Sequence, residues 1–179
     1  MGDHGYQALP GLKVRGERDT AHRLKVFRLG ELPLAGADVA DLGCNLGAFC
    51  FAAADHGARR VVGYDREFVA ANMREVANWL GYYNVDFVGT ALPDGLAGPP
   101  ELRVPAQFDI VFCLSAQNYF GGYQPWIAEL CRVALLLETH GDEDPAPYEA
   151  ALRRDFCRVE RLGDTTDVKR RAVFRCWKE

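Results

Sequence analysis

The sequence lacks several patterns that mark particular classes of protein. It has no C-x-x-C pair, and its six cysteines and four histidines are scattered, so neither a disulfide framework nor a zinc site is predicted. No apolar run approaches the ~18 residues that a membrane span needs, and the amino end has no basic segment followed by an apolar one. We therefore expect a soluble, cytoplasmic protein with reduced thiols and no membrane contact.

The chain also lacks an excess of positive charge. Its 21 basic and 25 acidic residues give a net charge of -4, so no overall field attracts a polyanion, and nucleic acid is a disfavoured partner. Arginine far outnumbers lysine and alanine is abundant, a composition typical of GC-rich bacterial genes. This bias indicates a bacterial-like source and nothing about mechanism.

Short apolar runs alternate with longer amphipathic ones along most of the chain. The strands predicted from these runs are 38–42, 60–64, 85–88, 108–114, 133–139, 157–162 and 171–177. The predicted helices are 21–29, 48–54, 68–80, 123–131 and 145–156, and a proline-rich loop is expected at 93–105. This alternation predicts an α/β domain with a mostly parallel seven-stranded sheet, and the short polar loop 163–170 predicts an antiparallel hairpin at its edge.

The first predicted strand runs directly into a glycine-containing turn, V-A-D-L-G-C-N-L-G at 39–47. Gly43 and Gly47 allow the backbone to approach a ligand closely, and Asn45 tolerates a left-handed conformation. A dinucleotide fingerprint has a different glycine spacing, G-x-G-x-x-G, and places pyrophosphate at the helix that follows. Here Asp41 precedes the first glycine by two residues, and a carboxylate favours a ligand with an ammonium group, such as S-adenosylmethionine.

These residues resemble the first motif, D-x-G-x-G-x-G, of the Rossmann-like (class I) S-adenosylmethionine-dependent methyltransferases. Asp41, Gly43 and Gly47 match that motif, and Asn45 replaces its middle glycine. The run V-V-G-Y-D resembles the second strand of the family, whose final acid, here Asp65, is implied to bind the ribose hydroxyls. The resemblance covers about residues 36–140, including an F-D-x-V strand at 108–114 that ends beside the sulfonium in the family.

The resemblance implies S-adenosylmethionine as cofactor and a set of residues that bind it. That set is Asp41, Gly43, Cys44, Asn45, Gly47, Asp65, Arg66, Thr90, Ala91, Leu114 and Ser115. One departure lies after the third strand, where the family often carries an adenine-binding Asp and this chain reads G-T-A-L from Gly89. The resemblance also implies that residues 1–35 form an arm over the cofactor pocket of a methyltransferase domain at 36–179. In that arm Tyr6, Arg15 and Arg18 either hold the methionine carboxylate or the substrate, or are surface residues.

The acceptor is expected among the loops that follow the last strands, because open parallel sheets bind ligands at the carboxyl ends of their strands. The sequence S-A-Q-N-Y-F at 115–120 lacks the N-P-P-Y and D-P-P-Y motifs of relatives that modify exocyclic amines. Asn118 and Tyr119 either orient an acceptor or belong to a turn that packs against the domain. His140 is either a general base or a structural residue. We predict no metal site, although acids cluster at 142–144.

The predicted function is methyl transfer from S-adenosylmethionine to oxygen or nitrogen of a small molecule. Two alternatives stay open at this point. One is a tRNA- or RNA-modifying transferase, because Arg15, Arg18 and Arg23 precede the first motif. The other is a cofactor-binding partner subunit without turnover. The pattern does not indicate an oligomeric state.

Overall fold

The computed structural model describes residue 7 and residues 16–90, 107–166 and 169–179. In chain order the elements are α1 (Thr20–Phe27), β1 (Asp38–Leu42), α2 (Ala48–Asp55), β2 (Arg60–Asp65), α3 (Glu67–Leu80), β3 (Val85–Gly89), β4 (Phe108–Leu114), α4 (Pro125–Leu130), β5 (Cys131–Glu138), α5 (Ala146–Asp155), β6 (Arg158–Thr165) and β7 (Arg171–Trp177). No helix in this part of the chain is long and apolar enough to cross a membrane.

The seven strands form one sheet in the order β3-β2-β1-β4-β5-β7-β6. The pairs from β3 through β5 are parallel, and β7 runs antiparallel to both β5 and β6. The predicted α/β class, the mostly parallel sheet and the antiparallel hairpin at the carboxyl end are confirmed. The strand order reverses beside β1, so the loops after β1 and β4 border the crevice where open α/β sheets bind ligands.

Helices cover both faces of the sheet and create two apolar layers. On one face Phe27 of α1, Phe49 of α2 and Met73 of α3 pack in a common cluster. On the other face Ile127 of α4 and Leu152 of α5 belong to a second cluster. Because the central strands are buried on both sides, they read as continuous apolar runs rather than as alternating ones.

Helix α1 begins and ends at residues with clear local causes. Asp19 caps it, since its Oδ1 accepts a hydrogen bond from the backbone N–H of His22 at 2.9 Å. The helix ends at Phe27 because Arg28 adopts a left-handed conformation, with φ of 50°. It is therefore shorter at its carboxyl end than the predicted 21–29.

Other predicted boundaries also differ from the structure, and two of the differences have a clear cause in strand pairing. The predicted helix 123–131 is shorter, because Cys131 already pairs with β4 as the first residue of β5. The predicted strand 157–162 continues to Thr165, through Gly163 and Asp164, which pair with β7 after a register shift. The predicted loop 93–105 lies outside the described residues.

Candidate functional site

The turn after β1 is built from backbone in the left-handed region. Gly43, Asn45 and Gly47 have φ values of 74°, 51° and 69°. The backbone N–H groups of Gly43 and Cys44 both donate to the carbonyl of Tyr64 in β2, at 2.8 and 3.1 Å. The turn is thereby fixed against the end of the neighbouring strand.

The two glycines of this turn are also required by contacts within the protein. A Cβ at Gly43 would lie 2.7 Å from the Cβ of Ala116, and a Cβ at Gly47 would lie 2.6 Å from the ring of Phe87. Both distances are shorter than any normal contact. The sequence predicts that these glycines allow a ligand to approach the backbone closely. In the structure, the first groups that a side chain at either position would meet belong to the protein itself.

Asp65 lies beside the turn, at the end of β2, and its carboxylate is held by backbone. Its Oδ2 accepts from the N–H of Asn45, and its Oδ1 accepts from the N–H of Arg66, both at 2.8 Å. Each carboxylate oxygen has two lone pairs, so both oxygens keep acceptor capacity for further donors. The carboxylate is therefore fixed in position and still able to bind a pair of hydroxyl groups.

Asp41, the acid of the turn motif, is almost completely buried, with 2% of its surface exposed. Its Oδ2 accepts a weak hydrogen bond from the Cys50 thiol at 3.4 Å. Burial raises the pKa of Asp41 to about 7, although the Cys50 hydrogen bond and the charge of Arg23 act in the opposite direction. Asp41 is thus poised between its neutral and ionised forms near neutral pH.

The other predicted cofactor residues lie at the same edge of the sheet, except one that is not described. Thr90 follows β3, and its N–H donates to the carbonyl of Asp65 at 2.8 Å. Leu114 is buried at the end of β4. The Arg66 guanidinium is exposed and lies 4.8 Å from the centre of the Phe68 ring. Ala91 lies outside the described residues.

His140 lies close to the end of β5 and is held by Ser115, the residue that follows β4. Its Nδ1 lies 3.0 Å from the carbonyl oxygen of Ser115. A carbonyl only accepts, so in neutral His140 the proton is on Nδ1 and the lone pair is on Nε2. Ser115 presents this carbonyl from a left-handed conformation, with φ of 60°, that few non-glycine residues adopt. The imidazole is half-buried and its orientation is fixed by the protein.

Asn118 and Tyr119 belong to a short 3₁₀ turn, Gln117–Phe120, that follows β4. Both side chains are exposed, and 44% of the Tyr119 surface is accessible to solvent. The turn brings them to the same edge of the sheet as His140. Their proposed part in binding an acceptor stays a prediction.

A buried ionic cluster lies at this edge, and the sequence analysis did not identify it. Glu138, the last residue of β5, is fully buried, and its carboxylate accepts five hydrogen bonds. Arg23 donates two of them, at 2.6 and 3.3 Å, and Arg18 donates one at 2.9 Å. The hydroxyls of Ser115 and Thr165 each donate one at 2.6 Å. One carboxylate therefore joins the amino-terminal segment to the ends of β4 and β6.

Two arginines hold the Glu138 carboxylate in its ionised form. Burial opposes ionisation of Glu138, but the charges of Arg23 and Arg18 and the two hydroxyl hydrogen bonds outweigh it and lower the pKa of Glu138. Two buried guanidinium groups thus share one carboxylate. Arg23 also stacks on Phe49, with its guanidinium 4.7 Å from the ring centre, and its buried Nη1 has no hydrogen-bond partner among the described residues.

The cluster excludes one of the two interpretations that the sequence offered for Arg18, that of a surface residue. Arg18 is buried, with 1% of its surface exposed, and it pairs with Glu138, so it is not a surface charge. One sequence signal pointed toward Glu138: it is a charged residue in the otherwise apolar run A-L-L-L-E, and a buried charge requires a partner. Tyr6 and Arg15 lie outside the described residues.

The comparisons with known proteins point to one fold. No protein-family model and no curated protein matches the sequence. Among solved structures, the chain is similar to magnesium protoporphyrin IX methyltransferase (ChlM) from Synechocystis PCC 6803, with a TM-score of 0.68 and 20% identity over 89% of this chain and 78% of that one. It is also similar to a putative S-adenosylmethionine-dependent methyltransferase from Listeria monocytogenes, with a TM-score of 0.67 and 14% identity over 90% of this chain and all of that one.

The fold is that of the class I S-adenosylmethionine-dependent methyltransferases. The fold that the Asp41 and Asp65 motifs implied is therefore confirmed. The ChlM structures hold S-adenosylmethionine or S-adenosylhomocysteine.

Within this methyltransferase fold, the amino-terminal segment reaches the glycine turn as well as Glu138. The side-chain oxygen of Gln7 accepts from the N–H of Ala48, the first residue of α2, at 3.2 Å, and Gln7 is buried. Gln7, Arg18 and Arg23 thus contact residues that follow or end β1 and β5. No local sequence pattern indicates a role for Gln7.

An acidic cavity of about 380 Å³ opens next to His140 in this methyltransferase fold. Its lining includes Asp142, Glu143, Asp144, Asp164, Arg161 and Arg170. Arg161 and Arg170 both bind the Asp164 carboxylate, at 2.7 and 2.6 Å. The N–H of His140 lies 3.4 Å from Glu143. Carboxylates outnumber cations here, so the wall beside His140 is negatively charged.

Proposed function

We propose that this protein transfers a methyl group from S-adenosylmethionine to an oxygen or nitrogen atom of a small molecule. The observation that carries the proposal is the left-handed turn at 43–47 beside the fixed Asp65 carboxylate. The turn brings half-buried backbone to this edge of the sheet, and Asp65 supplies two acceptor oxygens of fixed orientation. This arrangement lies at the switch point of the sheet, where α/β folds bind ligands.

Three charged groups fit the polar parts of this cofactor. Asp65 suits the ribose cis-diol, because two adjacent hydroxyls can donate to its two oxygens. Asp41 suits the ammonium group, because a cation favours its ionised form. The buried Nη1 of Arg23, which has no partner in the part of the chain that the structure describes, suits the carboxylate. The protein thus offers hydrogen-bond acceptors for the ribose hydroxyls, an anion for the ammonium group and a cation for the carboxylate.

When bound, S-adenosylmethionine supplies an electrophilic methyl group on a sulfonium. The task of the protein is to align the acceptor and to exclude water. For a hydroxyl acceptor, His140 is suited to remove the proton, since its Nδ1 is engaged by Ser115 and its Nε2 carries the lone pair. Asn118 and Tyr119 are suited to orient the acceptor from the neighbouring turn. The negative wall of the cavity beside His140 favours an acceptor without negative charge.

Two observations support a small acceptor over RNA. ChlM, one of the similar structures, is named for a small-molecule acceptor, magnesium protoporphyrin IX. The RNA alternative depended on Arg15, Arg18 and Arg23, and two of these arginines are buried on Glu138, where they do not reach a phosphate backbone. Arg15 lies outside the described residues.

The proposal is tested by transfer of a labelled methyl group from the cofactor to fractionated metabolites and, separately, to total tRNA. We expect label in a small-molecule fraction and none in tRNA. Label in tRNA alone would favour the RNA-modifying alternative. Cofactor binding without transfer to any fraction would favour the partner-subunit alternative.

A further inference from the structure

Helix α3 has two opposite faces of different character. Its buried face consists of Val69, Ala70, Met73 and Ala77. The opposite face follows the helical spacing i, i+4, i+7 and i+11 and consists of Phe68, Asn72, Glu75 and Trp79. Phe68 is 60% exposed and Trp79 is 75% exposed. Tyr83, just past the end of the helix, is 87% exposed.

The aromatic residues on this face are concentrated rather than scattered. In the described part of the chain four large hydrophobic side chains are exposed, and three of them are Phe68, Trp79 and Tyr83. Single exposed hydrophobic residues are normal, whereas a group of aromatic ones marks a surface that another molecule covers. Asn72 and Glu75 interrupt the apolar face at its centre, so the face suits a protein with matching polar groups better than a lipid surface.

The exposed face is complementary to itself. When α3 packs antiparallel against a second α3 about a twofold axis at residues 73–74, residue 68 faces residue 79 and residue 72 faces residue 75. Phe68 then meets the partner's Trp79, and the Asn72 amide meets the partner's Glu75 carboxylate. The first pair is aromatic on aromatic, and in the second an amide donates to a carboxylate. No like charges face each other directly.

From this pairing we propose that α3 forms the interface of a twofold-symmetric homodimer. The area available on this face is that of a small interface. A fully buried aromatic side chain contributes about 150–250 Å², so the exposed parts of the three aromatic residues give roughly 700–1,100 Å² over two copies. Specific interfaces need about 1,000 Å² or more, and Asn72, Glu75 and the flanking residues add to the aromatic area.

The first test is sedimentation velocity over a range of roughly 1 to 100 µM, which brackets the affinity expected of a small interface. The parent chain is expected to form a dimer. Trp79→Lys is expected to raise the dimer dissociation constant at least about tenfold, since a few large aromatic side chains supply most of the affinity of a typical interface. Tyr119→Lys is the matched control, because Tyr119 is also an exposed aromatic residue and lies on another surface. Unchanged melting temperatures would show that both variants fold.

The second test uses disulfide formation to check the antiparallel register of the two α3 helices. Cys157 is exposed and is first changed to Ser. Mixing an Asn72→Cys chain with a Glu75→Cys chain is expected to give a covalent dimer, whereas the same experiment with Tyr119→Cys and Glu75→Cys gives none. A parent chain that stays monomeric across the concentration range would overturn the proposal. So would a dimer that persists in Trp79→Lys, or that never joins positions 72 and 75.

Discussion

Removal of the Glu138 charge should destabilise the fold strongly. Glu138→Gln keeps the shape of the side chain but removes the buried carboxylate with which the guanidinium groups of Arg18 and Arg23 both pair. Breaking a buried ion pair by removing one partner costs about 3–5 kcal/mol. In a chain of this size each kcal/mol lowers the melting temperature by about 2–4 °C, so we expect a decrease of about 6–20 °C.

The free energy of unfolding is measured with urea, and the melting temperature by heating, for Glu138→Gln and two matched variants. Arg18→Met should cost less than Glu138→Gln, because it leaves the Arg23–Glu138 pair balanced. Glu149→Gln removes an exposed pair with Arg153 and should cost under about 1 kcal/mol. A cost for Glu138→Gln as small as that of Glu149→Gln would refute the reasoning, because it would mean that the two arginines do not need the carboxylate.

The difference in stability between the parent and Glu138→Gln should depend on pH. The folded-state pKa of Glu138 is lowered, so its contribution to stability is present above the ordinary pKa of a glutamate and is lost as the pH falls through the folded-state value. In acid the stability of the parent should therefore approach that of Glu138→Gln. At neutral pH the free energies of unfolding of the parent and of Glu138→Gln should differ by the full amount.

Three further predictions concern the proposed cofactor and acceptor sites. Asp65→Asn should weaken S-adenosylhomocysteine binding by about 1.5–3 kcal/mol in calorimetry, the range for hydrogen bonds to a charged group, and an unchanged affinity would exclude Asp65 as the ribose acid. Because Asp41 has a pKa of about 7 and must be ionised to bind an ammonium, affinity should fall about tenfold from pH 8 to pH 6, and Asp41→Asn should abolish this dependence. Once an acceptor is known, His140→Ala should lose about 10²–10⁴ in turnover at unchanged cofactor affinity; an unchanged rate would make His140 structural.

Most of the fold follows from local sequence patterns. The bounds of β1, β4 and β7 agree with the prediction because each is a continuous apolar or alternating run that ends at a polar residue or a glycine. The end of β6 does not follow from the sequence. Gly163 and Asp164 have low strand propensity, and only their pairing with β7 keeps them extended.

The candidate site likewise has one part that local sequence patterns predict and another part that they do not. Asp41, the glycines and Asp65 were found because they lie within one local strand–turn–helix–strand segment. The Glu138 cluster was not found because its arginines are 115 and 120 residues away in the chain. The contact of Gln7 with Ala48 likewise joins residues far apart in sequence. Such pairs become adjacent only when the sheet forms, and no local pattern records them.

The central claim is that the turn at 43–47 and Asp65 bind S-adenosylmethionine, and calorimetric titration tests it most directly. We expect S-adenosylmethionine and S-adenosylhomocysteine to bind the parent chain with one site each, and to raise its melting temperature as ligands of the native state must. NAD should not bind. Binding of NAD without binding of either adenosyl compound would contradict the account.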